Sequence, residues 1–481
     1  MAKSLFFYDL ETSGILADSD RVMQFGGQRT DLDLNPIGEP YNLLISLSKD
    51  CLPDPAAVLI HGITPQQTIL EGLSEAQFMQ LFHGEIVVPD TTFVGFNNIR
   101  FDDEFIRFLN YRNLYDPYAW SYENGCSRWD ILDVVRMTRA VRPEGINWPT
   151  DDKGFNTNRL ELLTKVNNLE HSNAHDALSD VFATINVARV IKRNQPKLYA
   201  YLFKLRLKSE AAKLAGSRRP FVYTSSHYPS TLFHTTVVVK VGEHPDTNCL
   251  LVYDLRHDPS PWLEKNARQL ADSWRYIPDR SEDNPPLPVK TMRLNRCPAL
   301  APLGVIKDLQ TQKRLDLNLE MIARNAALLM ANQAFAVNLR QAVEILNSEQ
   351  QQRYQTSSRP VDTRLYDGFY DIKDKLSLNE LHKHESAAKI RKMRDLFNDP
   401  RLKKLISLYL ARNYYTDLTD EERESWDEFV NRKLFKGGEY SRLASYFNKI
   451  AQLGRERTDK RSQLLLEDLK LYGESLLPLD G

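Results

Sequence analysis

Cysteine is scarce and scattered: Cys51, Cys126, Cys249 and Cys297 stand far apart in a chain of 481 residues. A cysteine-pair zinc module needs ligands roughly two to four residues apart, and a small secreted scaffold needs many cysteines. Neither pattern is present, so a reduced compartment is expected, with thiols as small packing residues. Long apolar runs are missing too, with no window of about 18 uninterrupted apolar residues to cross a bilayer. The opening Met-Ala-Lys-Ser-Leu-Phe-Phe-Tyr-Asp turns acidic after four apolar residues, too soon for a signal peptide. A cytoplasmic location without a membrane partner is expected. Nor is there an excess of one charge: 63 Lys and Arg face 64 Asp and Glu, a net of -1. That balance neither announces nor excludes nucleic acid, because a basic groove can be cancelled by acidic faces elsewhere. Internal repeats and low-complexity segments are absent.

What is present is an ordinary globular composition, 42% hydrophobic and 26% charged, over a length that implies two or three domains. Residues 5–10 form a short apolar run, and 22–29 can pair beside it before the turn at Asn35-Pro36. Residues 92–96 read as a buried strand. Helical spacing covers 74–83, 104–110, 129–140, 159–167 and 177–193, with Pro196 marking an end or a kink. Strands mixed with long helices predict an α/β domain over 1–190. Runs at 235–241 and 248–255, separated by Gly242-Glu-His-Pro-Asp-Thr, predict a hairpin, and 289–293 a further strand. A smaller β-containing domain over 196–350 follows, turning helical after Asp316. The last part, 355–478, is charged and helical. Thr419 and Glu422 there make a capping box, and Gly437-Gly438 breaks the flanking helices.

The chemistry begins at Asp9-Leu10-Glu11, at the end of the first strand. Side chains on a strand repeat every two residues, so both carboxylates share one face. Two close anions need a cation between them, and hard oxygen ligands suit Mg²⁺ or Mn²⁺. Alone, Asp-x-Glu is common and usually marks a solvated strand face or turn. The second feature is Gly95-Phe-Asn-Asn-Ile-Arg-Phe-Asp102, in which Asp102 falls near the start of a helix that its carboxylate could simply cap. Asp103 and Glu104 are adjacent rivals. The third is His175-Asp-Ala-Leu-Ser-Asp180, preceded by Glu170-His-Ser-Asn-Ala. Five helical positions rotate by about 140°, so His175 belongs in the loop before the helix, able to swing toward what Asp180 binds.

Four carboxylates and one histidine in this order resemble the DEDD exonuclease superfamily, in its variant with a histidine five positions before the last Asp. Within it, FVGFNNIRFDDEFIRFLNYRNLYDPYAW at 93–120, RPEGINWP at 142–149 and RLELLTKVNNLEHSNAHDALSDV at 159–181 resemble the bacterial exonuclease I family. Phe96 stands where many DEDD enzymes carry a histidine, as in the exonuclease I form. The resemblance is strong through about residue 205 and weaker beyond, where short matches such as Leu365-Tyr-Asp-Gly-Phe369 carry it.

That resemblance implies a ribonuclease H-like exonuclease domain with a mixed sheet, an SH3-like domain and a helical C-terminal domain. It implies 3′→5′ hydrolysis of single-stranded DNA to 5′-mononucleotides, with a role in DNA repair and recombination. Two Mg²⁺ ions, replaceable by Mn²⁺, would be held by Asp9, Glu11, Asp102 and Asp180. His175 would take a proton from water, as an ordinary imidazole can near neutral pH. Arg159 is placed to clamp a phosphate. Arg107, Tyr118, Tyr122, Arg136 and Tyr201, together with Glu11, match the family's substrate contacts, although a tyrosine is equally often a core residue with a wet hydroxyl. A basic run over 192–219 interleaved with Tyr199, Tyr201 and Phe203 has the composition of a single-strand groove, and equally of a solvated helix face. The implied partner is single-strand DNA-binding protein, met through its acidic C-terminal tail by a monomer. Two alternatives are a DEDD ribonuclease, disfavoured by the roughly 290 residues beyond 190, and a DNA-binding scaffold without catalysis, which predicts a lost carboxylate.

Overall fold

The computed structural model describes residues 3–171, 174–281, 285–355, 359–384 and 386–477. Met1 and Ala2 of the opening segment lie outside them, as do Ser172 and Asn173 of the loop before His175. The chain groups into two compact units, each discontinuous in sequence. One comprises Met1–Ser127, His171–Phe182 and Arg359–Gly481; the other comprises Arg128–Glu170 and Ala183–Ser358.

The first unit is built on β1 (Ser4–Thr12), an apolar run buried on both faces until it reaches Asp9. It pairs antiparallel with β2 (Val22–Thr30) and parallel with β4 (Thr91–Gly95). β3 (Tyr41–Leu44) extends the other edge of β2, giving the mixed order β3-β2-β1-β4 within this unit. β5 (Ser127–Asp130) is entered at Ser127, whose hydroxyl lies 2.9 Å from that of Thr92. The core beneath is strongly aromatic, with Phe6, Tyr8, Phe25, Phe78, Phe82, Phe93 and Trp120 all buried. Phe25 meets Phe78, and Phe93 meets Trp120, at centroid separations of 5.0 Å.

Helix starts in this unit are specified locally. Asp54 and Thr64 cap Pro55–His61 and Pro65–Glu71, each with proline in the first turn, and Ser74 with Gln77 boxes Glu75–Leu81. Thr419 with Glu422 boxes Asp420–Leu434 as expected. Gly437 and Gly438, at φ of 111° and 58°, separate that helix from Arg442–Glu456, which Ser441 caps.

A buried charge network joins early and late parts of the same unit. Arg412, on the helix Pro400–Asn413, donates to Asp50 at 2.8 Å and to Asp362 at 2.6 Å, and Lys433 donates to Asp50 at 2.6 Å. Arg21 lies 3.5 Å from Asp50 and 3.7 Å from Glu75, and Arg112 lies 3.3 Å from Glu75. The cations around Asp50 hold its carboxyl well below the usual range against the opposing effect of burial.

The second unit carries an antiparallel sheet in the order β10-β6-β7-β8-β9. Its strands are β6 (Phe221–Thr224), β7 (Thr235–Glu243), β8 (Cys249–Asp254), β9 (Val289–Arg293) and β10 (Ala299–Pro302). The expected hairpin is β7–β8; β6 and β10 are additions, each only four residues long. Pro196 is not a kink but the first residue of a new helix, Pro196–Leu205, after Ala177–Asn194 ends. Among the described residues no helix is long and apolar enough to cross a membrane.

Candidate metal centre

Asp9 and Glu11 leave β1 on one face, while Leu10 between them is buried in the aromatic core. Asp180 comes from the first turn of the helix Ala177–Asn194. One carboxylate oxygen from each of Asp9, Glu11 and Asp180 lies within 4.8 Å of the others.

The neighbouring strand explains why these three meet. In the β1–β2 ladder Asp9 faces Gly26 and Glu11 faces Gln24. Gln24 accepts the backbone N–H of Ala177 at 3.1 Å and donates to Asp176 at 2.9 Å, fixing the helix start against β2. A Cβ on Gly26 would lie 2.5 Å from the main chain of Ala177 and Leu178, so only glycine admits the helix this closely. Asp176 in turn caps the helix by accepting the N–H of Ser179 at 3.0 Å.

Asp102 is the buried first residue of the helix Asp102–Arg112. It falls outside the 4.8 Å set, yet its charge is felt by both Asp9 and Glu11. Asp103 has a different task. Fully buried, it accepts from the Tyr8 hydroxyl and from Asn98 Nδ2 at 3.2 Å, locking the helix start to β1.

Burial and mutual repulsion strain the acidic cluster electrostatically. Burial, then repulsion from Asp180, Asp102 and Asp176, pushes Glu11 from 4.5 up to about 8. Burial and then Asp102 raise Asp9 well above its ordinary value. Asp180 is also raised by burial, against a hydrogen bond from His171 that holds it down. Such a set is satisfied by protons or by cations, and its all-oxygen donors suit Mg²⁺ or Mn²⁺.

Two histidines flank the centre. His175 is exposed in a left-handed turn at φ 66°, two residues before the helix begins. His171 Nε2 lies 2.5 Å from Asp180 Oδ1. Sequence reasoning assigned no role to His171; its signal was a second histidine four positions before His175. A third, His61, is pushed down to about 4 by burial and is neutral.

The family pattern described as "Exonuclease" matches residues 6–188. The patterns for the exonuclease I SH3-like domain and the exonuclease I C-terminal domain match 206–344 and 359–476. Exodeoxyribonuclease I of Haemophilus influenzae is 38% identical over 480 residues, covering 98% of this chain and 99% of that protein. The chain belongs to the exodeoxyribonuclease I family. A solved exonuclease I from Methylocaldum szegediense superposes with a TM-score of 0.92 at 38% identity, covering 99% of this chain and 100% of that one. Escherichia coli exonuclease I in complex with a dA16 oligonucleotide follows at 0.90 and 35%, and a structure described as SSB/exonuclease I with an inhibitor at 0.88 and 34%; both cover 99% of this chain and 100% of theirs.

In this exodeoxyribonuclease I family member the expected substrate contacts occupy varied surroundings. Arg107 is buried, paired with Glu104 at 2.7 Å and set over the Tyr118 ring at 5.6 Å. Tyr118 also packs on Phe369, which is exposed, and Tyr366 donates to Glu104. Tyr122 is exposed. In the second unit, Arg136 pairs with Asp133 at 2.8 Å, Arg159 is exposed at the start of Leu160–Val166, and Tyr201 is half-buried. Of the aromatics in the basic run, Tyr199 and Phe203 pack edge-on against Trp129 at 5.1 and 5.0 Å. Lys204 and Lys213 converge on Glu210.

Proposed function

We propose that the chain is a 3′→5′ exonuclease of single-stranded DNA that releases 5′-mononucleotides by two-metal-ion hydrolysis. The observation that carries this reading is the convergence of Asp9, Glu11 and Asp180, with Asp102 adding its charge, in a member of the exodeoxyribonuclease I family. In this reading Asp9, Glu11, Asp102 and Asp180 hold two Mg²⁺ ions, with Mn²⁺ able to replace them. Bound there, the ions supply charge neutralisation at the scissile phosphate and orient the attacking water and leaving oxygen in line. His175, exposed on its turn beside the cluster, receives the proton of the water. His171 holds Asp180 in orientation. Arg159 and Arg136 contact phosphates, and Tyr118, Tyr122 and Tyr201 contact unpaired bases, with Arg107 fixing the Tyr118 ring.

Single-stranded DNA as substrate is supported by the oligonucleotide complex of the E. coli relative. The SSB/exonuclease I structure supports single-strand DNA-binding protein as a partner, with its acidic C-terminal tail as the proposed point of contact. A monomeric enzyme of cytoplasmic DNA repair and recombination completes the reading. The domains run 1–190, 196–350 and 355–478.

The test is digestion of end-labelled single- and double-stranded DNA and of RNA, with products resolved by length. Stepwise loss from the 3′ end of single-stranded DNA with Mg²⁺, abolished by EDTA, is expected. Equal cleavage of RNA, or no cleavage in Mg²⁺, would overturn the reading.

A further inference from the structure

A second cluster of metal-ligating side chains lies in the other unit, on the β7–β8 hairpin. Strand β7 ends at Glu243 and β8 starts at Cys249, and the connection between them carries His244 and Asp246. One ligand atom from each of His244, Asp246 and Cys249 lies within 4.8 Å of the others. We propose that His244, Asp246 and Cys249 form a Zn²⁺ site that clasps this hairpin.

Donor chemistry selects the ion. An imidazole nitrogen, a carboxylate oxygen and a thiolate sulfur make a mixed, partly soft set that favours Zn²⁺ over Mg²⁺, which demands six oxygens. His244 Nδ1 accepts the N–H of Asp246 at 2.9 Å, so this nitrogen carries its lone pair rather than a proton. The same atom stands 3.7 Å from Asp246 Oδ2. Two ligand atoms on one tetrahedral zinc are roughly 3.3–3.6 Å apart, given bonds of about 2.0–2.3 Å. Closing the cluster to that spacing takes side-chain rotation within a turn and the exchange of one N–H···N hydrogen bond for a metal bond.

Burial is graded in the manner a site with an entry path needs. The Cys249 side chain is inside the sheet, His244 is only 7% exposed, and Asp246 is 57% exposed at the rim. Three protein ligands leave the fourth position to water. Charge is mixed: Arg293, opposite Cys249 in the β8–β9 ladder, favours the thiolate but opposes the cation, as does Arg296 nearby. This inference is independent of the reading of the carboxylate centre.

The experiment is a Co²⁺ titration of the full chain in excess Mg²⁺, followed by visible and near-ultraviolet absorption. Only a thiolate ligand gives a sulfur-to-cobalt charge-transfer band, and the carboxylate centre has no thiol. One such Co²⁺ per chain is expected, displaced by Zn²⁺. The band should vanish in Cys249→Ser, with Mg²⁺-dependent DNA hydrolysis retained as the check on folding. His244→Gln, on the turn, should weaken the Co²⁺ affinity by about tenfold or more. Absence of the band in the unmodified chain overturns the proposal. So does its persistence in Cys249→Ser, or unchanged affinity in His244→Gln.

Discussion

His171 Nε2 approaches Oδ1 of Asp180 to 2.5 Å, so a carboxylate proposed for the metal centre is held by a ring outside the proposed ligand set. Supporting contacts of this kind are worth about 10–100-fold in metal affinity. His171→Ala should raise the Mg²⁺ concentration for half-maximal rate by that factor, with the maximal rate recovered at saturation. His175→Ala should lower the maximal rate by about 10²–10⁴ without recovery at any Mg²⁺ concentration. Metal-dependence curves of the two variants separate the roles, and a reversed pattern would exchange them.

Asp102 and Asp103 are neighbours with different work. Asp180→Ala and Asp102→Ala should nearly abolish hydrolysis while the thermal midpoint stays close to that of the parent. Asp103→Ala strands the buried Tyr8 hydroxyl and should destabilise by about 1–3 kcal/mol. Below its unfolding transition it should retain much more activity than Asp102→Ala. Paired melting and rate measurements decide the assignment.

The raised carboxyl of Glu11 fixes the sign of a pH effect in metal-free protein. Its value is 4.5 ordinarily and about 8 in the fold, so folding favours the protonated form. That contribution is fully present below about 4.5 and is lost as pH rises through about 8. Melting in EDTA should therefore show falling stability across this window, with a shallower fall in Glu11→Gln. Added Mg²⁺ should restore stability most strongly at the alkaline end.

Arg412 neutralises two buried carboxylates at once. Arg412→Met should destabilise by about 3–5 kcal/mol, because Asp50 and Asp362 are left without their main partner. Replacing Asp362 by Asn in the same chain should recover part of the loss. A denaturant series checks this, and additive losses would show that the network is not coupled.

The basic stretch tests how the strand is held. Replacing Lys204, Arg206 and Lys208 together by alanine should flatten the salt dependence of DNA binding by up to about 2, at roughly 0.7 per phosphate contact. Arg206 lies over Phe203 at 3.8 Å, so its share should be the smallest. An unchanged slope would assign the stretch to a solvated face.

Where sequence chemistry was local, it was readable. The strand ending in Asp9 and Glu11, the hairpin turn and the Thr419 capping box each declare themselves within a few residues. The helices Pro55–His61 and Pro65–Glu71 carried equally local signals, Asp54-Pro55 and Thr64-Pro65, which short apolar periodicity obscured. Other features depended on contacts distant in sequence. Nothing near Asp103 indicates that Tyr8 will bond to it, and nothing near Asp50 announces Arg412. Strands β6 and β10 are too short for alternation to stand out, and they exist through their pairing. The two discontinuous units were likewise invisible to a reading that moved along the chain.

Gly26 also bears on the ion that the proposed centre accepts. The helix that supplies Asp180 rests on the bare main chain opposite Asp9, with no side chain between them to repack. Mg²⁺ bonds oxygen at about 2.0–2.1 Å, whereas Ca²⁺ needs about 2.3–2.6 Å and more ligands. In the proposed two-metal centre, spreading the carboxylates for a larger ion would work against the clamp of Gln24 on Ala177, so a glycine that touches no ion is expected to bear on which ion is accepted.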